Sequence, residues 1–252
     1  MPGYVIVMAQ QTLGHRQKRA MKVIGLIGGT SWNSTLEYYR IINESVARRL
    51  GGTHSARLVL YNLDFNEIQR AQHEGHWHDI AGILIEAGRA VKRAGGDFLV
   101  ICTNALHKVA DDVERKVGLP VLHIADVTGA VVRERGLHRV GLLGTRFVME
   151  GSFYRGRLRD RYDIEVVVPA EADMDTIHRI IYNELCQGRI NASSQRVCAD
   201  IMDNLVGKGA EGIVLGCTEL PLLIRPGDGH ALTFDTTRLH AEAAVDLALA
   251  ER

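Results

Sequence analysis

From position 22 the chain alternates short apolar runs with longer stretches whose apolar residues recur every three or four positions. That rhythm predicts strands alternating with helices, the pattern of an α/β fold with mostly parallel sheets. "KVIGLIGGT" (22–30) reads as a strand entering a glycine turn, and "SWNSTLEYYRIINESVARRL" (31–50) as a helix that Ser31 or Asn33 is placed to cap. "ARLVLYNL" (56–63) predicts a second strand, "DIAGILIEAGRAVKRAG" (79–95) a second helix and "DFLVICTN" (97–104) a third strand.

Much of this pattern then returns. "HRVGLLGTR" (138–146) resembles the first strand and its turn. "TIHRIIYNELCQG" (176–188) and "SQRVCADIMDNLVGKGA" (194–210) read as helices, and "EGIVLGCTE" (211–219) resembles the strand that ends at Cys102. Gly25 and Cys102 are 77 positions apart, Gly141 and Cys217 are 76, and both cysteines are followed by Thr and then by a polar residue. Each segment then leads to a further short strand, ending at Asp126 in the first half and at Asp235 in the second. The economical explanation is two similar α/β domains related by a pseudo-two-fold axis. The alternative, that any two α/β segments look alike, does not account for the matched spacing or the shared Cys-Thr. Ligands of open α/β sheets bind beyond the carboxyl ends of the strands, so Cys102 and Cys217 are expected to flank one cleft between the domains.

Composition narrows the function without naming it. The chain has 252 residues, with Lys+Arg and Asp+Glu balanced at 30 each. A zero formal charge argues against nucleic acid or an anionic membrane as the main partner. Apolar stretches such as "GIVLGCTELPLLI", interrupted by Glu219, are too short to span a bilayer. Four cysteines with no C-x-x-C pair, and an N-terminus without the long apolar region of a secretory leader, fit free thiols in a reducing cytoplasm. Residues 1–20 read as a loosely ordered extension ahead of the first strand.

Two thiols facing each other suit one kind of chemistry. Inverting a carbon that carries a weakly acidic hydrogen takes a base on one face and an acid on the other. An unperturbed thiol, with a pKa of about 8.5, serves as either after modest tuning. Strand-end N–H groups and the helix N-termini that follow suit a substrate carboxylate. Thr103, Asn104 and Thr218 are short hydrogen-bonding side chains at the same places. Cys186 and Cys198 lie inside helical patterns and read as packing residues.

With those residues in place, "GLIGGTSWNST", "CTNALHKVAD" and "GCTELPLLI" together resemble the aspartate/glutamate racemase family, in its pyridoxal-phosphate-independent amino-acid racemase branch. The resemblance extends from Met21 over nearly the whole chain. It implies an active site between two α/β domains (21–120 and 121–231), with a C-terminal helix near 237–250, in the 232–252 segment, packing back on the first. It implies no cofactor, no metal, an amino-acid substrate and, in many members, a homodimer. Cys102 and Cys217 become the paired acid and base. Gly29, Thr30, Ser31, Thr103, Asn104, Thr218 and Glu219 become substrate contacts. The sequence departs from the cell-wall glutamate racemases, which carry an acidic residue and Ser at the first strand end and His after the second Cys-Thr, where this chain has "GGTSW" and "GCTEL". It also lacks the basic residues that acid-specific members bring to the loop after the second strand and to the helix of the second half. Here Arg70 is the nearest cation in the former, and Cys186 stands in the latter where a Lys is expected.

Other motifs carry less. "GLIGGTS" is not the dinucleotide-binding G-x-G-x-x-G. "HEGHWH", with His73, His76 and His78, reads as a solvated helix start rather than a zinc site. His107 and Lys108 read as surface or substrate-lining positions. A non-catalytic two-lobed binding protein would share the cleft but has no reason to match thiols. Hydantoin racemases, maleate isomerases and malonate decarboxylases of the same superfamily use one or both cysteines differently.

Overall fold

The computed structural model describes residues 21–225 and 231–250, so the reading of residues 1–20 as an extension falls outside them. The first half runs β1 (Ile24–Gly28), α1 (Trp32–Leu50), β2 (Leu58–Asn62), α2 (Phe65–His73), α3 (Trp77–Arg93) and β3 (Phe98–Ile101). A 3₁₀ turn (Ala105–Val109) then enters α4 (Ala110–Val117), followed by α5 (Ile124–Glu134). The second half runs β4 (Arg139–Leu143), α6 (Arg146–Met149), α7 (Ser152–Tyr162), β5 (Glu165–Val167), α8 (Glu171–Asn183), a 3₁₀ turn (Leu185–Gln187) and α9 (Ala192–Gly207). It closes with β6 (Gly212–Leu215), α10 (Leu220–Leu223), β7 (Leu232–Asp235) and α11 (Thr236–Leu249).

Two parallel sheets result, ordered β2-β1-β3 and β5-β4-β6-β7. Strands β1, β3 and β6 are buried along their whole length, as strands covered by helices on both faces must be. On one face of the first sheet Ile24, Leu26, Phe98, Val100 and Cys102 pack against α1 and α11. On the other, Ile27, Leu99 and Ile101 pack against α3 and α4. The second sheet repeats the division. Leu143, Ile213, Leu215 and Cys217 meet α8 and α9, while Val140, Leu142, Val214 and Phe234 meet α5 and α7.

The repeat is visible in strand order: β1, β2 and β3 hold the places of β4, β5 and β6. The fourth place differs. Where β7 pairs with β6 over four residues, the first half makes a single parallel bridge, Leu99 to Val121. No strand ends at Asp126. The chain turns into α5 at His123, and Asp126 lies in the first turn of that helix, its carboxylate gripped at both oxygens by Arg157 of α7 (2.7 Å each). Pro120 fixes the backbone just ahead of the bridge and donates no hydrogen bond, so pairing does not extend upstream. Asp235 does end a strand, and caps α11 by accepting from the N–H groups of Thr237 and Arg238.

α5 and α11, which follow these fourth places, are exchanged between the halves. α11 packs on α1 of the first half, α5 packs on α7 of the second, and the two helices pack on each other. Three elements escape the sequence pattern. α2 is a short helix directly after β2. α7 spreads four arginines round its length and so shows little periodicity. β5 has three residues at a sheet edge. No helix among the described residues is long and apolar enough to cross a membrane.

Candidate active site

The carboxyl ends of β1, β3, β4 and β6 converge on one cavity of about 40 Å³ between the two sheets. Thr30 and Ser31 reach it from the β1–α1 turn, Thr103 and Asn104 from the end of β3, Thr145 from the end of β4, and Gly216 through Glu219 from the end of β6. Phe65, Ile68 and Gln72 of α2, at helical spacing, close one side; Ile181, Tyr182 and Cys186 close another.

Gly29 makes the first of these turns. Its φ is +93°, and a Cβ there would sit 2.1 Å from the carbonyl oxygen of Leu63, so only glycine lets β1 turn against the end of β2. Ser31 follows with φ +70°, a conformation that non-glycine residues seldom adopt and that concentrates at functional sites. Ser31 stands at the N-cap of α1, yet neither it nor Asn33 caps the helix with its side chain. Thr35 serves the turn instead, accepting from the Gly29 N–H (2.8 Å). The Ser31 hydroxyl is left buried and free of any partner.

That freedom is shared. Thr30 Oγ1, Ser31 Oγ, Asn104 Oδ1, Thr145 Oγ1 and Glu219 Oε1 are all buried without a hydrogen-bond partner, and all belong to residues lining this one cavity. Buried polar atoms are nearly always paired, so a cluster of unpaired ones marks a place where a polar ligand completes the bonding. The Asn104 amide is oriented unambiguously. Thr236 Oγ1 donates to the Leu215 carbonyl (2.8 Å), so it accepts from Asn104 Nδ2 (3.0 Å), and Oδ1 is the atom left over.

Cys217 lies at the end of β6 with its Sγ donating to Glu219 Oε2 at 3.1 Å; Thr218 Oγ1 donates to the same oxygen at 2.7 Å. Burial first, and the Glu219 carboxylate second, push the Cys217 thiol well above its ordinary range. The resting group is therefore a thiol, hydrogen-bonded to the Glu219 side chain.

Cys102 is elsewhere. It is fully buried among Phe98, Val100 and Tyr38 on the α1 and α11 face and does not line the cavity. Its thiol, raised by burial alone, approaches only the Val100 carbonyl (3.8 Å). The ladder register explains this placement, which differs from the expectation that Cys102 and Cys217 flank one cleft. Ile101 stands opposite Ile27 in the first sheet as Leu215 stands opposite Leu143 in the second. The next N–H groups, of Cys102 and Gly216, bond to the Ile27 and Leu143 carbonyls at 2.9 and 2.6 Å. Gly216 is thus the counterpart of Cys102, and Thr103 is the counterpart of Cys217. Because strand side chains alternate, a one-residue slip moves a side chain to the other face.

Cys186, read from the sequence as packing, is partly exposed and lines the cavity; burial and the nearby Glu219 raise its thiol to about 12. Cys198 is a core residue. His107 is neither a surface nor a lining residue. It is 2% exposed and stacks between His123 and His240, with ring centroids 4.7 and 5.4 Å away. Lys108 sits over the Trp77 ring at 4.0 Å. His73 packs against Phe147 and Tyr182, His76 pairs with Glu74, and no cluster of three or more metal-ligating side chains occurs among the described residues. Gln72, Thr145 and Tyr182 carry no motif in the sequence; only packing brings them to the cavity.

The family model for Asp/Glu/Hydantoin racemase matches residues 27–244. A putative Asp/Glu racemase from Yersinia pestis is 48% identical and superposes with a TM-score of 0.86 over 91% of this chain and 100% of that one. An aspartate racemase homologue from Pyrococcus horikoshii OT3 is 35% identical, with a TM-score of 0.78 over 90% of this chain and 99% of that one. A glutamate racemase from Carnobacterium is 24% identical over 127 residues, which is 50% of this chain and 46% of the relative. The sheets, the cleft and this extended similarity agree: the chain belongs to the Asp/Glu/Hydantoin racemase family, a family of isomerases.

Proposed function

We propose that the protein is a cofactor-independent amino-acid racemase that inverts the α-carbon by proton transfer between Cys217 and Thr103. The observation that carries the proposal is their register-equivalent position at the ends of β3 and β6, on the two halves, lining one cavity. In one direction the Cys217 proton passes to Glu219. The thiolate then takes the α-hydrogen as the Thr103 hydroxyl supplies a proton from the other side, and water carries the proton held on Glu219 back to the Thr103 oxygen, restoring both groups. The Cys217–Glu219 pair carries one negative charge before and after the first transfer, so thiolate formation does not add charge to a buried site.

The unpartnered atoms suit the rest of an amino acid. The hydroxyls of Thr30, Ser31 and Thr145 are donors for the α-carboxylate, and Asn104 Oδ1 and Glu219 Oε1 are acceptors for the α-ammonium. Gly29 shapes the turn that holds Thr30 and Ser31, and Thr218 holds Glu219. An exposed apolar stripe on α1 (Trp32, Leu36 and Tyr39), with Leu60 and Tyr61 of edge strand β2, supports a homodimer as the working assembly. Four free thiols support a reducing, cytoplasmic setting.

The test is α-hydrogen exchange and racemisation in heavy water without added cofactor, across L- and D-amino acids. Cys217→Ser is expected to remove activity and Cys102→Ser to leave it within about threefold, since Cys102 touches no reacting atom on this reading. An alkyl hydroxyl is a far weaker acid than a thiol, so the two directions should differ in kcat. Their kcat/KM values must be equal because the equilibrium constant is one, and Thr103→Cys should bring the two kcat values together. Loss of activity in Cys102→Ser with the fold intact would instead restore Cys102 as the second proton carrier.

A further inference from the structure

We propose that this cleft selects amino acids whose side chain carries no charge, and that the wall formed by Gln72, Tyr182 and Cys186 sets that preference. The inference rests on the racemase reading above and adds the substrate class to it.

The donors and acceptors without partners match one zwitterion, with three hydroxyls for a carboxylate and two acceptors for an ammonium. Nothing of that set remains for a second carboxylate. The rest of the lining is apolar or neutral, and among the described residues no Lys, Arg or His side chain lines the cavity. The cations nearby are engaged or turned away. Arg70 is exposed on α2, whose Phe65, Ile68 and Gln72 face the cavity. Lys108 lies on the Trp77 ring, and the Arg146 guanidinium is paired with Glu150 and Asp175. The one ionisable carboxyl lining the cavity is that of Glu219. A substrate with an acidic side chain would bring a second negative charge among mostly buried, weakly screened lining residues with no counter-ion, whereas a neutral side chain meets only polar and apolar contacts. Cys186 also lines the adjoining groove beside Trp32 and Asn62, so this wall runs outward from the cavity, where a side chain would extend.

Isosteric pairs isolate charge from shape. Exchange of the α-hydrogen in heavy water is measured for asparagine against aspartate and for glutamine against glutamate, and calorimetric affinity is measured for the same four. The neutral member of each pair is expected to have a kcat/KM higher by about tenfold or more. Cys186→Lys, which places a cation at a partly exposed position on that wall, should move the ratio toward the acidic member by a similar factor while the neutral member still turns over. Equal or faster exchange of aspartate and glutamate overturns the proposal. An unmoved ratio in Cys186→Lys overturns the assignment of the wall. If none of the four exchanges and no other amino acid does, the racemase reading fails on its own account. The affinities then decide the charge preference separately, tighter aspartate or glutamate overturning it.

Discussion

Glu219 has one carboxylate oxygen held by two donors, Cys217 and Thr218, and the other held by none. On the proposed mechanism the first oxygen receives the thiol proton and the second accepts from a substrate ammonium. Replacing Glu219 by Gln keeps the volume but removes the proton acceptor. The expected result is a fall in kcat of about 10² to 10⁴, the usual worth of a positioned base, with no comparable loss of stability. Burial, the larger cause holding Cys217 well above its ordinary range, persists when Glu219 is replaced; the thiol must then lose its proton to solvent, so the variant's rate should keep rising to higher pH than that of the parent. Steady-state pH profiles of both proteins check this. A flat comparison would remove Glu219 from the proton path.

At the scale of elements, the cavity depends on how strands end and helices begin. The β1–α1 turn is fixed by Gly29, whose φ of +93° and close approach to the Leu63 backbone admit no side chain. Gly29→Ala should therefore destabilise the fold by about 3 kcal/mol or more, read from the midpoint of urea unfolding. It should also displace Thr30 and Ser31, so that surviving protein binds amino acids weakly. On β3, alternation alone decides that Cys102 joins the α1 and α11 core while Thr103 faces the cleft. α11 adds a tie between the halves: Thr236, its first residue, accepts from Asn104 and donates to Leu215.

For the whole molecule, the contact between halves carries three buried histidines, His107, His123 and His240. His240 Nε2 donates to the Leu122 carbonyl (2.7 Å), which makes its Nδ1 the acceptor for the Tyr38 hydroxyl (2.8 Å). Burial lowers all three, His107 to about 4 and His240 to about 3; proximity to His107 lowers the other two further, and His240 adds to the effect on His123. The unfolded chain, with histidines near 6.5, binds more protons than the folded one in this range. Stability is therefore full above about pH 6.5 and declines as pH falls from there toward 4. Between pH 7 and pH 5 the loss should be about 2 kcal/mol per histidine, measured by denaturant titration at the two pH values. Replacing His240 by Gln should flatten that dependence. The cavity holds about 40 Å³, room for a few waters.

The α/β rhythm, the repeat, the glycine turn and the placing of Cys217, Thr103, Asn104 and Glu219 beyond strand ends were legible in the sequence, because period and turn chemistry are local properties. α7 and β5 were not, since an arginine-rich helix and a three-residue edge strand leave almost no periodic trace. Nor could the sequence say that the fourth strand of the first half shrinks to one bridge at Val121. On the proposed mechanism, the choice of Thr103 over Cys102 as the second proton carrier rests on tertiary structure alone. Adjacent residues on a strand face opposite ways, and counting positions between Gly25 and Cys102 cannot detect a one-residue difference in how the two halves turn. Only the hydrogen-bond ladder, setting Cys102 beside Ile27 as Gly216 is set beside Leu143, shows which side chain looks into the cleft.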